Sequence, residues 1–253
     1  MATFVLVGGA WIGAWAWGET AGALRAAGHV VYPLSRTGLA ERVHLARPEV
    51  GVGTHLTDVI NLIEFEGLAD VILCGHSYAG AVGTGVGDRI PERLAAVVYV
   101  DSAPFADGQS MLDFFPAEGR EALQRQVDTA GEGWLLPFPG LAGLAEDGDI
   151  TGLEGEAGAL LEAKATAHPW RTWTDSVRLS RDGEPAYRRA VVACNETRSM
   201  VEAVDQEETI GPILLDRLHK TGHSRFPVMK GDIDHVVLVG GSTRMPAVQD
   251  LVL

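Results

Sequence analysis

The chain has 253 residues, of which 46% are hydrophobic and 21% charged, and its formal net charge at pH 7 is −14. Binding to the phosphate backbone of nucleic acid depends on clustered Lys and Arg, so this charge argues against a nucleic-acid partner and against an anionic membrane surface. The length suffices for one α/β domain with a large buried core, and residues 1–253 are predicted to form a single domain.

The N-terminal sequence does not have the pattern of a targeting segment. The first apolar run, Phe4 to Val7, lacks a preceding basic region, and glycines interrupt the apolar stretch that continues to Trp17. We therefore expect neither a signal peptide nor a transmembrane span. Cys74 and Cys194 both lie in apolar runs, which favours small buried side chains over a disulfide. A cytoplasmic location is the expectation.

Apolar runs alternate with helix-like segments in the first hundred residues. Continuous apolar runs suit parallel strands that are covered on both faces by helices. Strand–helix alternation predicts a doubly wound, mostly parallel sheet of the α/β class. The three runs are Phe4–Val7, Asp70–Cys74 and Ala95–Val100, and the helix-like segments are Glu19–Ala27 and Leu56–Leu68.

The rhythm of the sequence changes between residues 103 and 189. This region carries prolines and the tryptophans Trp134, Trp170 and Trp173. An insertion of this kind after a strand end predicts a helical lid over a pocket, with an ordinary surface excursion as the alternative. The run Ala190–Cys194 that follows reads as a further core strand.

A candidate nucleophile stands between the second apolar run and a helix of small residues. The segment is Gly75-His76-Ser77-Tyr78-Ala79-Gly80. A serine on a sharp strand-to-helix turn has a strained backbone, and small residues two positions to either side avoid clashes. Gly75 and Ala79 occupy those positions, so Ser77 is predicted to be a nucleophile. The alternative is a glycine-rich turn with an idle serine.

An acyl-transfer site also needs backbone N–H donors for the developing oxyanion. Tyr78, directly after the nucleophile, should supply one donor, and the loop after the first strand should supply the other through Ala10. The glycines of that loop could instead indicate a dinucleotide site. Gly8, Gly9 and Gly13 do not fit the G-x-G-x-x-G spacing, however, and the acid expected after the next strand is missing.

Residues 4 to about 200 resemble the branch of α/β-hydrolases that contains plant methyl-salicylate-type esterases, hydroxynitrile lyases and their bacterial relatives. The similar stretches are FVLVGGAWIGAWAW, LADVILCGHSYAGAV, RIPERLAAVVYVDSAPFADGQS and HPWRTWTDSVRL. In that branch a histidine that organises the oxyanion loop usually stands where this chain has Gly8. This departure bears on the rigidity of the loop rather than on the chemistry.

A serine hydroxyl needs a histidine to accept its proton, and in this fold the chain order is serine, acid, histidine. Within Thr221-Gly-His-Ser-Arg-Phe226, His223 resembles the family's general base; the alternative is a chance match in a loop. His219 and His235 also follow Ser77, while His168 lies in the expected lid. His76 is expected to be held away from the Ser77 hydroxyl. The earlier histidines read as surface or loop residues: His29, His44 and His55.

The acid is the weakest element of the expected triad. The resemblance implies an aspartate just after the strand that ends at Cys194, but Thr197 occupies that position. Glu196 could orient the histidine from one residue earlier, and Asp205 is an alternative. A solvated loop carboxylate is an equally good interpretation of Glu196.

The C-terminal segment, residues 232–253, is unlike the end of a hydrolase. The stretch DIDHVVLVGGSTRMPAV resembles the nucleotide-binding domain of the seventy-kilodalton heat-shock chaperones, with a weaker match at Leu214–Arg217. Val236–Val239 should form a strand before a Gly-Gly turn, but the other segments of a nucleotide cleft are absent. The tail is therefore interpreted as a fusion or rearrangement that packs against the hydrolase body as a substitute terminal strand and helix, without ATP binding.

These observations predict a serine carboxylesterase that hydrolyses small esters without a cofactor or metal. Ser77 would attack, His223 would carry the proton, Glu196 would orient it, and the Ala10 and Tyr78 amides would hold the oxyanion. A hydrolase-fold binding protein without turnover is the alternative from another class. The resemblance implies that a cyanohydrin lyase would carry a lysine beside the catalytic histidine and a threonine near the oxyanion loop. Here Ser224 follows His223 and Trp11 follows Ala10, so that activity is disfavoured. The expected partner is a small-molecule ester, and a homodimer is left open.

Overall fold

The computed structural model describes residues 1–146, 155–181, 185–194 and 235–239. The strands in these ranges pair in one large parallel sheet and one short antiparallel ribbon. In chain order they are β1 (Thr3–Val7), β2 (Val30–Leu34), β3 (Val71–His76), β4 (Leu94–Val100), β5 (Leu135–Leu136), β6 (His168–Pro169), β7 (Arg188–Cys194) and β8 (His235–Val239).

The large sheet has the strand order β2-β1-β3-β4-β7-β8, with every adjacent pair parallel. This arrangement confirms the predicted α/β class and the doubly wound parallel sheet. The apolar runs taken from the sequence became β1, β3, β4 and β7. The strand β2 was not among them because Pro33 interrupts its pattern, and its edge position is where a strand tolerates proline.

The α-helices in the described ranges are α1 (Gly18–Ala26), α2 (Val52–Phe65), α3 (Ala79–Arg89), α4 (Ala117–Ala130), α5 (Gly140–Glu146), α6 (Glu156–Lys164) and α7 (Arg171–Thr174). The same ranges contain four short 3-10 helices: Ala14–Trp17, Ala40–Leu45, Pro91–Arg93 and Met111–Phe114. The predicted helix Leu56–Leu68 thus begins and ends earlier, as α2. It ends there because Gly67, with φ of +62°, takes the left-handed conformation that terminates a helix.

Two apolar clusters cover the faces of the sheet. The larger packs α2 and α3 against one face, through side chains such as Leu56, Val82 and Val97. The smaller packs α1 against the other face, through Leu6, Trp17 and Leu24. Each such fully buried side chain contributes about 1.5–3 kcal/mol through the hydrophobic effect. The sheet is therefore a rigid platform for the loops at its strand ends.

The region 103–189 contains α4 to α7 and the β5–β6 ribbon within its described residues. The single-domain organisation and the role of this region as a lid stay predictions. None of the helices in the described ranges is both long and apolar enough to cross a membrane.

The strand β8 lies at the edge of the large sheet and pairs in parallel with β7, from Ala190 opposite His235 to Cys194 opposite Val239. The expectation of a strand at Val236–Val239 that joins the hydrolase sheet is confirmed. The remainder of the 232–253 tail, with its Gly-Gly turn, lies outside the described residues.

Candidate active site

Ser77 occupies the turn between β3 and α3, as the sequence predicted. Its φ of +51° lies in the left-handed region, which a residue with a side chain rarely adopts. The turn is held by the Ser77 N–H, which donates to the Val100 carbonyl at 2.9 Å, and by the Ser102 hydroxyl, which donates to the Ser77 carbonyl at 2.7 Å. Strain of about 1–3 kcal/mol at such a position persists only where neighbours enforce it.

The small residues around Ser77 are required by close backbone approach. A Cβ at Gly75 would lie 2.6 Å from the Ala79 carbonyl oxygen, which is closer than real Cβ contacts come. Ala79, at the second small position, is fully buried at the start of α3. The turn therefore admits a methyl group at the second small position and only hydrogen at the first.

The loop after β1 lies directly against the candidate nucleophile. A Cβ at Gly9 would lie 3.1 Å from the Cβ of Ser77 and 2.7 Å from Nδ1 of His76. In the described part of the chain, neither the Ala10 N–H nor the Tyr78 N–H donates to another group. Two free amides beside a strained serine are what an oxyanion site requires. The catalytic roles of Ser77, Ala10 and Tyr78 remain predictions that fit this geometry.

The peptide groups on either side of Ala10 are fixed by residues distant in sequence. The Gly9 carbonyl accepts from Nη2 of Arg36 at 2.6 Å, and the Trp11 N–H donates to Nδ1 of His168 at 3.1 Å. Trp11 itself has φ of +62°. The loop is thus held in place although Gly8 replaces the histidine that the family resemblance leads one to expect there.

Trp11 connects this loop to the region 103–189. Its carbonyl accepts from the Thr166 N–H at 3.0 Å and its indole N–H donates to the Leu136 carbonyl at 3.2 Å. The Trp11 ring contacts the rings of Phe138 and Trp173. An apolar, aromatic surface therefore borders the oxyanion loop.

Behind the loop lies a buried polar network centred on Tyr78. Nε2 of His55 donates to the Thr37 carbonyl at 2.9 Å, so the neutral imidazole accepts at Nδ1 from the Tyr78 hydroxyl at 3.0 Å. The guanidinium of Arg36 stacks over the Tyr78 ring, 4.8 Å from its centroid. Burial raises the pKa of Tyr78 to about 12, so its hydroxyl stays a donor.

The interpretation of His55 as a surface or loop residue was wrong. Its ring is fully buried on α2, an amphipathic helix whose apolar face carries it into the core. Burial and the nearby charge of Arg36 hold the pKa of His55 well below its usual range, and the same causes depress the pKa of His168. Both imidazoles are therefore neutral at pH 7 and serve as hydrogen-bonding groups of the core.

His76 and Asp101 form a second polar pair beside the turn. Burial lowers the pKa of His76, while the negative charge of Asp101 opposes that shift. Asp101 directly follows β4 and has φ of +45°. Asp101 lies within the family-like stretch RIPERLAAVVYVDSAPFADGQS, but no role was predicted for it there. Arg36 belongs to none of the family-like stretches, and its contact with Gly9 joins segments that are distant in sequence.

The predicted base and acid, His223 and Glu196, lie outside the described residues, as do Thr197, Asp205 and His219. Of the two cysteines, Cys74 is a free, fully buried thiol on β3. In the ranges that the structure covers, no group of three or more His, Cys, Asp or Glu side chains could hold a metal ion.

An open surface groove of about 420 Å³ is lined by α2 and α7 residues together with Arg89, Ser176 and Arg178. None of Ser77, Ala10 and Tyr78 lines it. The groove is therefore separate from the candidate active site.

Comparisons with known proteins agree with this fold. A family profile described as "Alpha/beta hydrolase family" matches residues 4–242, a range that includes β8. A carbendazim hydrolyzing esterase of Nocardioides sp. (strain SG-4G) is 48% identical over 116 residues, 46% of this chain and 48% of that protein. Esterase PIR7B of Oryza sativa subsp. japonica is 36% identical over 138 residues, 53% of this chain and 48% of that protein. The matches span about half the length of these relatives.

Solved structures show the same fold at low sequence identity. An extracellular alpha/beta-hydrolase from a Paenibacillus species superposes with a TM-score of 0.69 at 24% identity, over 98% of this chain and 93% of that one. Tomato Methylketone Synthase I, complexed with 2-tridecanone, superposes with a TM-score of 0.69 at 18% identity, over 99% and 94% of the two chains. At such identity these structures bear on the fold alone.

Proposed function

Because the chain belongs to the alpha/beta hydrolase family, we propose that it is a serine carboxylesterase that hydrolyses small esters through an acyl-enzyme on Ser77. The observation that carries the proposal is the strained Ser77 turn with Gly9 of the oxyanion loop packed against it. Relatives named as esterases support the same chemistry.

In the proposed reaction the Ser77 hydroxyl attacks the ester carbonyl carbon and loses its proton to a histidine. The carbonyl oxygen becomes an oxyanion that accepts from the Ala10 and Tyr78 N–H groups. Collapse of this intermediate expels the alcohol, which takes the proton from the histidine. Water then attacks the acyl-enzyme with the same groups and releases the acid. The base is proposed to be His223 and its orienting acid Glu196, on the resemblance alone.

Small esters with an apolar acyl or alcohol group are the proposed substrates. The support is the aromatic surface of Trp11, Phe138 and Trp173 beside the oxyanion loop. The reaction needs no cofactor. For residues 232–253 we propose a structural role at the sheet edge through β8, without nucleotide binding.

The test is hydrolysis of p-nitrophenyl esters of increasing acyl length by the purified chain and by Ser77→Ala. Loss of the nucleophile should lower kcat by about 10⁶-fold, to the background rate. Ser176→Ala, in the separate groove, is the matched control and should keep full activity. If the parent chain folds and binds these esters without turnover, it is the binding protein of the alternative hypothesis.

A further inference from the structure

Arg36 is a buried cation whose position calls for an explanation. Its side chain is fully buried, and within the described residues Nε and Nη1 have no hydrogen-bond partner. Nη2 donates a 2.6 Å hydrogen bond to the Gly9 carbonyl, and the guanidinium also lies against the Tyr78 side chain. Burying a charge with so few partners is unfavourable, so a structural role alone is a weak reason for an arginine here.

The contact with Gly9 has a direct consequence for Ala10. The Gly9 carbonyl and the Ala10 N–H belong to the same planar, trans peptide unit, so the two groups are directed to opposite sides. A cation that binds the carbonyl oxygen therefore fixes the direction of the N–H. It also draws electron density toward the oxygen, which strengthens the N–H as a donor.

We propose, on the basis of the proposed esterase function, that Arg36 is a positioning residue that orients and polarises the Gly9–Ala10 peptide unit for oxyanion stabilisation. The residue acts through the peptide and does not touch the substrate.

The surroundings of Arg36 suit this role. It packs on the ring of Tyr78, whose own N–H is the second expected oxyanion donor. The neighbouring His55 and His168 are neutral, and burial lowers the pKa of Arg36 only to about 10, so it remains the charged member of the network at pH 7. His168 fixes the next peptide through the Trp11 N–H. The Ala10 amide is thus set from both sides by groups that are distant in sequence.

The test compares Arg36→Met and Arg36→Lys with the matched control Arg42→Met. Arg42 lies in the same connecting segment but contacts Ser35, Thr37 and Asp58 rather than the oxyanion loop. The variants are assayed with a p-nitrophenyl ester and with an aryl trifluoromethyl ketone, which forms an oxyanion with the nucleophilic serine. The amide ¹⁵N resonance of Ala10 is recorded in each variant without ligand.

Arg36→Met should lower kcat about tenfold and leave KM within twofold of the parent value. This loss of kcat is smaller than the 10²–10³-fold loss caused by removing a direct oxyanion donor, because Arg36 acts only through the peptide. The Ki of Arg36→Met for the ketone should rise by the same factor as its kcat falls, and lysine should recover part of both. Arg42→Met should change neither. Arg36→Met kinetics equal to those of Arg42→Met, or a loss confined to KM, would overturn the inference and leave the esterase proposal intact.

If the parent chain is inactive on every ester, the proposed function fails. The amide ¹⁵N chemical shift of Ala10 then still reports whether Arg36 polarises the Gly9–Ala10 peptide. A resonance that moves in Arg36→Met and not in Arg42→Met supports the polarised peptide. A resonance unchanged in both variants overturns it.

Discussion

Two buried charges in this molecule are accommodated in opposite ways. Asp88, at the end of α3, is 9% exposed, and its carboxylate accepts from the Ser180 N–H and hydroxyl and from the Arg181 N–H at 2.9–3.0 Å. Arg36, beside the loop that follows β1, is 0% exposed; it donates to the Gly9 carbonyl and lies over the Tyr78 ring. Asp88 is thus surrounded by donors, whereas the described surroundings of Arg36 leave two nitrogens unpaired.

The difference separates a charge that stabilises the fold from a charge placed for chemistry. The Asp88 carboxylate joins α3 to the segment after α7, and its loss would remove the acceptor of two backbone N–H groups, those of Ser180 and Arg181. An incompletely paired buried charge such as Arg36 is expected to lower stability, which is the pattern of a site organised for reaction rather than for folding. Substitution of Asp88 should therefore lower stability more than activity, and substitution of Arg36 should lower activity more than stability.

Among the substitutions that test this difference, Gly9→Ala is expected to lower activity most. The added methyl would press on His76 and on Ser77 and so displace the oxyanion loop, lowering kcat by about 10²–10³-fold. Ester hydrolysis at saturating substrate measures the loss. Gly22→Ala is the control: it lies on α1 with open space around it, so activity should be retained. A Gly9→Ala enzyme of normal kcat would place the reactive centre elsewhere.

Among these substitutions, Asp88→Ala should have the largest effect on stability. Removing a buried carboxylate that accepts from the exposed residues Ser180 and Arg181 should lower the free energy of unfolding by about 1.5–3 kcal/mol, measured by urea denaturation. Activity should stay within twofold because Asp88 makes no contact with the oxyanion loop. Asp128→Ala, an exposed helix position, should change stability by less than about 0.5 kcal/mol. Equal stability of the two variants would show that the hydrogen bonds to the Asp88 carboxylate do not stabilise the fold.

Acid should destabilise the network around Arg36. The pKa values of His55 and His168 are depressed in the folded chain, so the unfolded chain binds more protons once the pH falls below about 6.5. Stability is therefore full above pH 6.5 and is lost as the pH falls. The free energy of unfolding should decrease as the pH falls, and these two histidines can together contribute a slope of at most about 2.7 kcal/mol per pH unit, one proton each.

Urea denaturation between pH 7.5 and pH 5 measures this slope. Arg36→Met should flatten it, since the charge of Arg36 contributes to both depressed pKa values. His44→Gln, at an exposed position, should leave it unchanged. A free energy of unfolding independent of pH over this range would show that the two imidazoles are not buried in neutral form.

The smallest effect expected is that of Arg36→Met on stability at pH 7.5. An apolar side chain of similar length removes an incompletely paired charge, so the free energy of unfolding should stay within about 1 kcal/mol of the parent value or rise. The same urea titrations give this number. If Arg36→Met loses as much stability as Asp88→Ala, Arg36 is a structural residue like Asp88 and the contrast between the two fails.

The features predicted correctly from the sequence are local ones. The Ser77 turn and the apolar strands depend on residues adjacent in the chain, so their patterns can be recognised from the sequence alone. Arg36 and Gly9 are 27 residues apart, and Trp11 and His168 are 157 apart. Contacts of that kind arise only when the sheet brings strand ends together, which is why Arg36 was missed and His55 was placed on the surface.

The most direct test of the central claim is labelling with a fluorophosphonate that reacts with activated serines, read by intact mass. We expect one adduct per chain, located on Ser77 by peptide mapping, and no adduct on Ser77→Ala. An adduct on another serine, or an unlabelled chain that is folded by circular dichroism, would contradict the claim that Ser77 is the nucleophile of a hydrolase.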